Sequence, residues 1–233
     1  AILWEGEPGE VVNWTYRDLH AEVERFSAGL RKLGLKKGER VAIYLPLVPE
    51  AAVAMLACAR VGLPHTVVFG GFSAESLKDR IQDADAVALI TADFGYRKGA
   101  KVDLIAQAEK ALSACPTVRT TIVLQRERAG KRNVQAPAAT TSAGKKDWHE
   151  VMALVGAKEC SELGRPESVD SEHPLFILYT SGTTGKPKGI VHSTGGYMTG
   201  ALRSMMLVCD VQPKDLYWCT ADVGLITGHT YLV

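Results

Sequence analysis

The chain has 233 residues, which is enough to bury the core of one large domain or two small ones. Its hydrophobic content of 46% and charged content of 23% are ordinary for a folded protein and argue against wholesale disorder. The formal net charge of +1 provides no field that would attract nucleic acid or an anionic membrane, and no apolar run approaches the length of a membrane span. We therefore expect neither a nucleic-acid nor a membrane partner.

The cysteines and histidines indicate a reducing compartment and no metal site. Five scattered cysteines form no C-x-x-C pair, which is typical of reduced thiols in a cytoplasm rather than of a disulfide framework or a zinc site. The six histidines show no close metal-ligand spacing, so each is interpreted as structural. The sequence therefore predicts a cytoplasmic protein with no metal ligands among its side chains.

Helices and strands alternate along the first half of the chain. Trp4 to Asn13 is predicted to form a turn, and Thr15 with Asp18 resembles a capping pair for a helix that Gly34 ends. Further strands are predicted at 40–45, 65–69, 86–91 and 120–124, and further helices at 49–61, 73–83 and 102–114. Strands that are apolar throughout and alternate with helices indicate an α/β fold with a largely parallel sheet flanked by helices on both faces.

The regular pattern fails between Gln125 and Lys146. This segment carries six cations against one acid but no aromatic side chain to stack on a base, so a solvated surface loop is favoured over a nucleic-acid patch. Beyond it we predict a helix at 147–155, a linker at 164–174, a strand at 175–178, a helix at 194–208 and a strand at 216–219. The methionine cluster of the helix at 194–208 is interpreted as core filling.

The stretch from Tyr179 to Gly189 follows a predicted buried strand and has the composition of a polyphosphate site. Glycine lets backbone N–H groups turn toward an anion, hydroxyls donate further hydrogen bonds, and lysines supply positive charge. Ligands of parallel sheets bind at the carboxyl ends of strands, where this stretch lies. The residues that carry these groups are Thr180, Ser181, Gly182, Thr183, Thr184, Gly185, Lys186 and Lys188.

Two other uses of this stretch fit its spacing less well. Only two residues separate Gly182 from Gly185, and Pro187 follows Lys186, so the pattern differs from the common P-loop. Ser181 lacks the Gly-x-Ser-x-Gly context of a serine hydrolase, so a nucleophilic serine is discarded. A solvated turn would not require this run of hydroxyls.

The stretch closely resembles the phosphate-loop signature of the acyl-adenylate-forming enzymes, the AMP-dependent synthetases and ligases. Several other segments are similar to the acetyl-CoA synthetase branch of that superfamily, and they cover nearly the whole chain. They are Phe69–Ser73, Leu175–Gly182, His192–Tyr197, Tyr217–Gly224 and Thr227–His229. The resemblance implies a fold of the large N-terminal AMP-binding (adenylation) domain.

The resemblance also implies an incomplete domain at 1–233, with the C-terminal domain of the family outside the chain. The chain starts at Ala1 without a methionine and stops at Val233 inside an apolar run, so we expect a fragment. The implied reaction activates acetate with ATP and Mg²⁺, releases pyrophosphate, and transfers the acetyl group to CoA. The alternatives are a propionate or other short-chain substrate, and a nucleotide-binding module that has no activity as an isolated fragment.

The resemblance assigns roles at two sites. Residues 180–186 would hold the β- and γ-phosphates of ATP, with Lys186 and Thr184 as the catalytic residues, while Lys188 either adds charge or faces water. The CoA site would comprise Phe69, Gly70, Gly71, Arg97, Lys98, Gly99 and Thr227.

Two positions depart from the family pattern. Ala100 stands where the CoA turn of the family carries a second arginine, and Lys98 or Lys101 would have to substitute for it. Leu225 stands where a tryptophan is usual in that branch. The smaller side chain either leaves more room near the acyl group or is buried packing without effect on specificity.

Overall fold

A computed structural model describes residues 1–132, 134–135, 144–180 and 187–232. The strands are β1 Ile2–Glu5, β2 Val11–Trp14, β3 Arg40–Tyr44, β4 His65–Val67, β5 Ala86–Ala92, β6 Phe94–Arg97, β7 Ala100–Asp103, β8 Thr120–Leu124, β9 Lys145–Asp147, β10 Pro174–Thr180 and β11 Lys188–Ser193. The helices are α1 Tyr16–Lys32, α2 Pro49–Arg60, α3 Ala74–Asp83, α4 Leu104–Leu112, α5 Trp148–Ala153, α6 Ala157–Leu163, α7 Thr194–Leu207 and α8 Ile226–Leu232, with a 3-10 turn at Arg126–Arg128. Within the described ranges, no helix combines the length and the apolar character needed to cross a membrane.

Seven of these strands form one sheet in the order β11-β10-β4-β3-β5-β8-β9. Neighbouring strands from β10 to β9 pair in parallel, whereas β10 and β11 pair antiparallel. The predicted α/β fold with a largely parallel sheet is thereby confirmed. This strand order brings the carboxyl ends of β10, β4 and β3 side by side, which is the edge at which parallel sheets bind their ligands.

The central strands are buried on both faces, as their apolar composition predicts. Consecutive residues Val41, Ala42 and Ile43 of β3 are all 0% exposed, as are Leu89 and Ile90 of β5. Because neighbouring residues of a strand point to opposite faces, both faces of the sheet are covered at these positions. A charged substitution on either face would therefore enter the core.

Helix α1 begins and ends where the sequence predicts. Thr15 Oγ1 accepts the Asp18 N–H at 3.2 Å, and the Asp18 carboxylate accepts the Thr15 N–H at 2.9 Å, which forms a capping box. Gly34, with φ of 82°, takes the left-handed conformation just beyond the helix. Phe26 of α1 stacks on Trp148 of α5 with ring centres 3.8 Å apart, and this contact anchors the helix in the core.

Two predictions of local structure were wrong. The turn expected from Trp4 to Asn13 is shorter, because β1 and β2 pair there as an antiparallel hairpin. The strand expected at 216–219 is absent from the described residues, and Leu216 and Trp218 are 76% and 83% exposed. A strand needs a neighbour to satisfy its backbone hydrogen bonds, and no described segment pairs with residues 216–219.

The methionines of α7 are not core residues within the described chain. Met198 is 63% exposed and Met206 is 59% exposed, and Leu202 between them is 61% exposed. Helical periodicity indicates that a helix has an apolar face but does not indicate which element covers that face. Helix α7 follows the edge strand β11 directly, and this edge position leaves its apolar side chains uncovered by the described residues.

The basic segment at 125–146 differs from the solvated loop that its composition predicts. Arg126 is only 3% exposed, and its guanidinium pairs with the Glu10 carboxylate at 3.0 Å and lies 5.1 Å from the Trp4 ring centre. Arg132 pairs with Asp18 at 2.6 Å. These cations are neutralised by acids near the N-terminus, which single-sequence periodicity does not reveal. Residues 133 and 136–143 lie outside the described residues.

Candidate functional site

The turn Phe69–Phe72 at the carboxyl end of β4 is held by the neighbouring strand. The Phe72 N–H donates to the Phe69 carbonyl at 2.9 Å and closes the turn. Tyr44, the last residue of β3, donates its hydroxyl to the Phe72 carbonyl at 2.8 Å. Burial raises the pKa of Tyr44 to about 12, so the hydroxyl remains a donor at neutral pH. Sequence reasoning missed Tyr44, although its place at the end of an apolar strand was an available signal.

A hairpin formed by β6 and β7 brings Arg97 to this turn. At the hairpin tip Lys98 and Gly99 both have positive φ, 53° and 78°, as a tight two-residue turn requires. The Arg97 guanidinium lies 5.5 Å from the Phe69 ring centre, and a Cβ atom added at Gly71 would lie 2.7 Å from Arg97 Nη1. The structure therefore joins the two segments that the resemblance assigns to CoA, although about 25 residues separate them in sequence.

The hairpin tip already has partners for part of its polar surface. The Gly99 N–H donates to a carboxylate oxygen of Glu7 from the N-terminal hairpin. The Lys101 ammonium lies 3.7 Å from the Glu127 carboxylate and 4.1 Å from the Phe94 ring centre. Arg97 and Lys98 are exposed. Of the cations considered for an anionic ligand, Arg97 is therefore the one that lies directly against the Phe69–Phe72 turn.

Arg80 of α3 connects the turn to β10 and was not singled out from the sequence. Its guanidinium lies 4.6 Å from the Phe72 ring centre and 5.5 Å from the Tyr179 ring centre, and Nη1 donates to the Ser76 carbonyl at 2.8 Å. The Tyr179 hydroxyl donates to Asp83 at 2.6 Å. These contacts border a cleft of about 380 Å³ lined by Asp79, Arg80, Gln82, Asp83, Tyr179 and Pro187.

The predicted phosphate loop is described at its two ends. Thr180 at the end of β10 pairs with Lys188 at the start of β11, and both side chains are exposed. The two residues therefore lie side by side at the carboxyl end of β10, next to the Arg80 cleft. The predicted phosphate-binding residues Ser181, Gly182, Thr183, Thr184, Gly185 and Lys186 lie outside the described residues.

The segment that carries Thr227 lies against the Phe69–Phe72 turn. Gly224 contacts this turn so closely that an added Cβ would lie 2.9 Å from the Phe69 backbone nitrogen. The Asp222 carboxylate accepts the Gly224 N–H at 2.7 Å, and α8 begins two residues later. Thr227 is exposed in the first turn of α8, and Leu225 is 56% exposed. Leu225 is therefore not buried packing within the described chain.

Replacing Tyr44 with Phe is expected to lower the free energy of unfolding by about 1–2 kcal/mol, because one buried hydrogen bond is lost and the Phe72 carbonyl loses its donor. Chemical denaturation monitored by circular dichroism measures this change. Tyr16→Phe is the matched control, because the Tyr16 side chain is 80% exposed. Equal stability of the two variants would contradict the role assigned to Tyr44.

Comparisons with known proteins identify the family of the chain. The AMP-binding enzyme family matches residues 1–233. Acetyl-coenzyme A synthetase from Gemmatimonas aurantiaca is 50% identical over 233 residues, which cover 100% of this chain and 35% of that protein. Acetyl-coenzyme A synthetase 2 from Pseudomonas aeruginosa is 49% identical over 234 residues, covering 100% of this chain and 34% of that protein.

A solved structure extends the similarity to the fold. Acetoacetyl-CoA synthetase from Streptomyces lividans superimposes with a TM-score of 0.84 at 33% identity, over 99% of this chain and 33% of that chain. The chain thus spans about a third of the length of these relatives. Because the family match covers every residue and the fold agrees, this chain belongs to the AMP-binding enzyme family.

Proposed function

We propose that the chain is part of an AMP-forming acetate–CoA ligase. The supporting observation is that the Phe69–Phe72 turn, Arg97 and the carboxyl end of β10 converge at one edge of the sheet. This convergence occurs in a chain that is 50% identical to a protein named acetyl-coenzyme A synthetase.

The proposed reaction has two half-reactions. The carboxylate of acetate attacks the α-phosphate of ATP, which forms acetyl-adenylate and releases pyrophosphate. The thiol of CoA then attacks the acetyl carbonyl, loses its proton and displaces AMP. A free carboxylate is a poor electrophile because its leaving group would be oxide, and the adenylate provides a better leaving group. Charge develops on phosphate oxygens in both steps, so positioning and electrostatic stabilisation carry the catalysis.

The phosphate site of this proposal is the stretch from Thr180 to Lys188. Its hydroxyls, backbone N–H groups and Lys186 hold the β- and γ-phosphates, and Lys186 with Thr184 stabilises the charge that moves onto pyrophosphate. When bound with the nucleotide, Mg²⁺ would supply positive charge to the phosphate oxygens that these residues hold. The exposed Lys188 side chain, next to Thr180, contributes longer-range charge.

The CoA site of this proposal is built on the Phe69–Phe72 turn. Gly70 and Gly71 lack the Cβ atoms that would crowd Leu45 and Arg97, and Arg97 offers a guanidinium to a phosphate of the CoA nucleotide. Lys98 stands beside it in place of the second arginine, and the N–H of Gly99 is shared with Glu7. Thr227 at the start of α8 faces the pantetheine or the acyl group.

This chain covers only about a third of each relative, which supports a larger protein. We propose that residues 1–233 form part of an N-terminal adenylation domain and that a C-terminal domain lies outside this chain. The same observation favours a second candidate, in which the isolated chain binds nucleotide but does not complete the reaction. A cytoplasmic location is part of the proposal because all five cysteines are free thiols.

The test is an assay of the complete enzyme with ATP, acetate and CoA. AMP, pyrophosphate and acetyl-CoA are expected in equal amounts, whereas ADP and phosphate, or no product, would refute the proposal. Comparing kcat/KM for acetate, propionate and butyrate identifies the acyl substrate, since one methylene changes specificity by about 10- to 200-fold. Equilibrium binding of ATP to the isolated chain, without product formation, would support the second candidate.

Arg97→Ala is expected to lower kcat/KM for CoA by about 10- to 100-fold, which is the effect of losing one charge-assisted hydrogen bond to phosphate. The loss is expected mainly as a higher KM for CoA, with acetate-dependent exchange of pyrophosphate into ATP unchanged. Arg17→Ala is the matched control, because Arg17 is exposed on α1. An unchanged KM for CoA would remove Arg97 from the proposed site.

A further inference from the structure

A buried pair of histidines joins α8 to the sheet. Nε2 of His65 in β4 and Nε2 of His229 in α8 are 3.1 Å apart, and the side chains belong to residues that are 1% and 0% exposed. Nδ1 of His229 lies 2.9 Å from the hydroxyl of Tyr197 in α7. Hydrogen-bonded side chains therefore connect β4 through α8 to α7.

The short distance between the two rings requires that the ring that accepts the hydrogen bond is neutral. Two nitrogens 3.1 Å apart form a hydrogen bond only when one carries a proton and the other offers a lone pair. Protonation of the acceptor ring at its Nε2 would place two N–H groups against each other. Burial lowers the pKa of His229 to about 3, helped by His192 nearby, and burial also lowers the pKa of His65 well below its usual value.

The unpaired nitrogen of His65 indicates which groups donate and which accept in this series of hydrogen bonds. His65 Nδ1 is buried without a hydrogen-bond partner among the described residues, and an orphaned N–H is rarer in proteins than an orphaned acceptor. His65 therefore donates from Nε2 to Nε2 of His229. His229 then donates from Nδ1 to the Tyr197 hydroxyl oxygen.

The groups around the pair are aromatic or neutral. The Phe176 ring of β10 stacks on His229 with centres 3.9 Å apart, and His192 of β11 stacks on Phe176 at 4.4 Å. Besides burial, His229 lowers the pKa of His65, and His192 lowers the pKa of His229. Neither influence favours an imidazolium, so the environment from β4, β10, β11 and α7 keeps the pair neutral.

The pair is one of two anchors for the segment that carries Thr227. Gly224 contacts Phe69 just beyond the carboxyl end of β4, while His229 contacts His65 at the first residue of β4. The segment therefore runs along β4 in the opposite direction, with Thr227 between the anchors. Removing the His229 anchor would free Thr227 relative to the Phe69–Phe72 turn.

We propose that His229, through its hydrogen bonds to His65 and Tyr197, is a positioning residue that sets the place of Thr227 for the CoA-dependent half-reaction. This inference rests on the proposed function, because it assigns α8 to the CoA step. It adds a pH dependence, since protonation of His229 would release α8 and weaken thioester formation at a higher pH than that at which adenylation weakens.

The test compares His229→Leu and His229→Gln in the complete enzyme, with His20→Gln at an exposed position of α1 as the control. Adenylation is measured as acetate-dependent pyrophosphate exchange without CoA, and the second step as kcat/KM for CoA. His229→Leu is expected to raise KM for CoA by about tenfold, the effect of one lost hydrogen bond, with adenylation within about twofold of wild type. His229→Gln is expected to recover most of this loss, because its amide replaces Nε2 and does not titrate.

The pH profile separates positioning from general support of the fold. Below pH 5, wild type is expected to lose kcat/KM for CoA more steeply than the rate of adenylation, and His229→Gln is expected to lose that difference. Equal losses in both half-reactions, no loss in His229→Leu, or no recovery in His229→Gln would each overturn the proposal.

A measurement that does not depend on activity tests the histidine pair even if the proposed function is wrong. If the wild type forms no acetyl-adenylate at all, the proposed function fails, and the pair is then examined by ¹⁵N NMR of the histidine rings. Two singly protonated rings that do not titrate between pH 5 and 8 would preserve the neutral pair as the anchor of α8. Titration of either ring near its ordinary pKa would refute it.

Discussion

Lys186→Ala is expected to lower the rate of acetyl-adenylate formation by about 100- to 1,000-fold, the range found when one group that stabilises transition-state charge is removed. The physical reason is that, in the proposed reaction, pyrophosphate accumulates negative charge as it leaves, which the Lys186 ammonium would neutralise. Acetate-dependent pyrophosphate exchange measures this step alone. The effect is expected in kcat more than in KM for ATP.

Lys188→Ala provides the matched control, because it removes the same charge two residues away. The exposed Lys188 pairs through its backbone with Thr180 at the start of β11, so its side chain is expected to contribute charge through solvent, which screens it. We therefore expect a loss below about tenfold that fades as salt is added. Equal losses in the two variants would contradict the separate role of Lys186.

Acid is expected to destabilise the wild type relative to His229→Gln by about 1.4 kcal/mol per pH unit below pH 6. The pKa of His229 is about 3 in the folded chain and 6.5 in the unfolded chain, so the unfolded state binds more protons between these values. Stability is therefore lost as pH falls through this window and is fully present above it. The accumulated difference approaches about 4 kcal/mol near pH 3.5.

The comparison with a variant is needed because a second buried group acts in the opposite direction. Burial raises the pKa of Glu50 to about 7 from 4.5, so the folded state binds more protons between these two values and gains stability as pH falls through them. Wild type and His229→Gln share Glu50, and the difference between them isolates His229. Urea unfolding between pH 4 and 7 provides the measurement, and parallel curves for the two proteins would contradict the burial of a neutral His229.

Local patterns sufficed for most of the secondary structure and for the family. The capping pair Thr15 and Asp18, the apolar strands before residue 180 and the alternation of helices with strands all report on neighbours within a few residues, and these were confirmed. The stretch from Tyr179 to Gly189 identified the family because its hydroxyls, glycines and lysines are close in sequence. The assignment of individual site residues stays a prediction that the variants above test.

Local patterns failed where a distant partner decides the outcome. The apolar face of α7 was taken as core, but periodicity does not say what covers a helix, and Met198 and Met206 are exposed among the described residues. Arg126 was taken as solvated, but Glu10 from the N-terminal hairpin neutralises it in a buried position. Both errors concern burial, which depends on the whole chain rather than on a window.

By itself, the sequence determined the α/β class and the largely parallel sheet, because these follow from residue types at short, regular spacing; the phosphate site at 180–188 stays a prediction from the sequence. Tertiary structure alone decided that Arg97 meets the Phe69–Phe72 turn and that His65 meets His229, 164 residues further along the chain. The physical reason is that such contacts depend on which strands become neighbours. Strand order is set by the packing of the entire core, and it places side chains together that no local pattern connects.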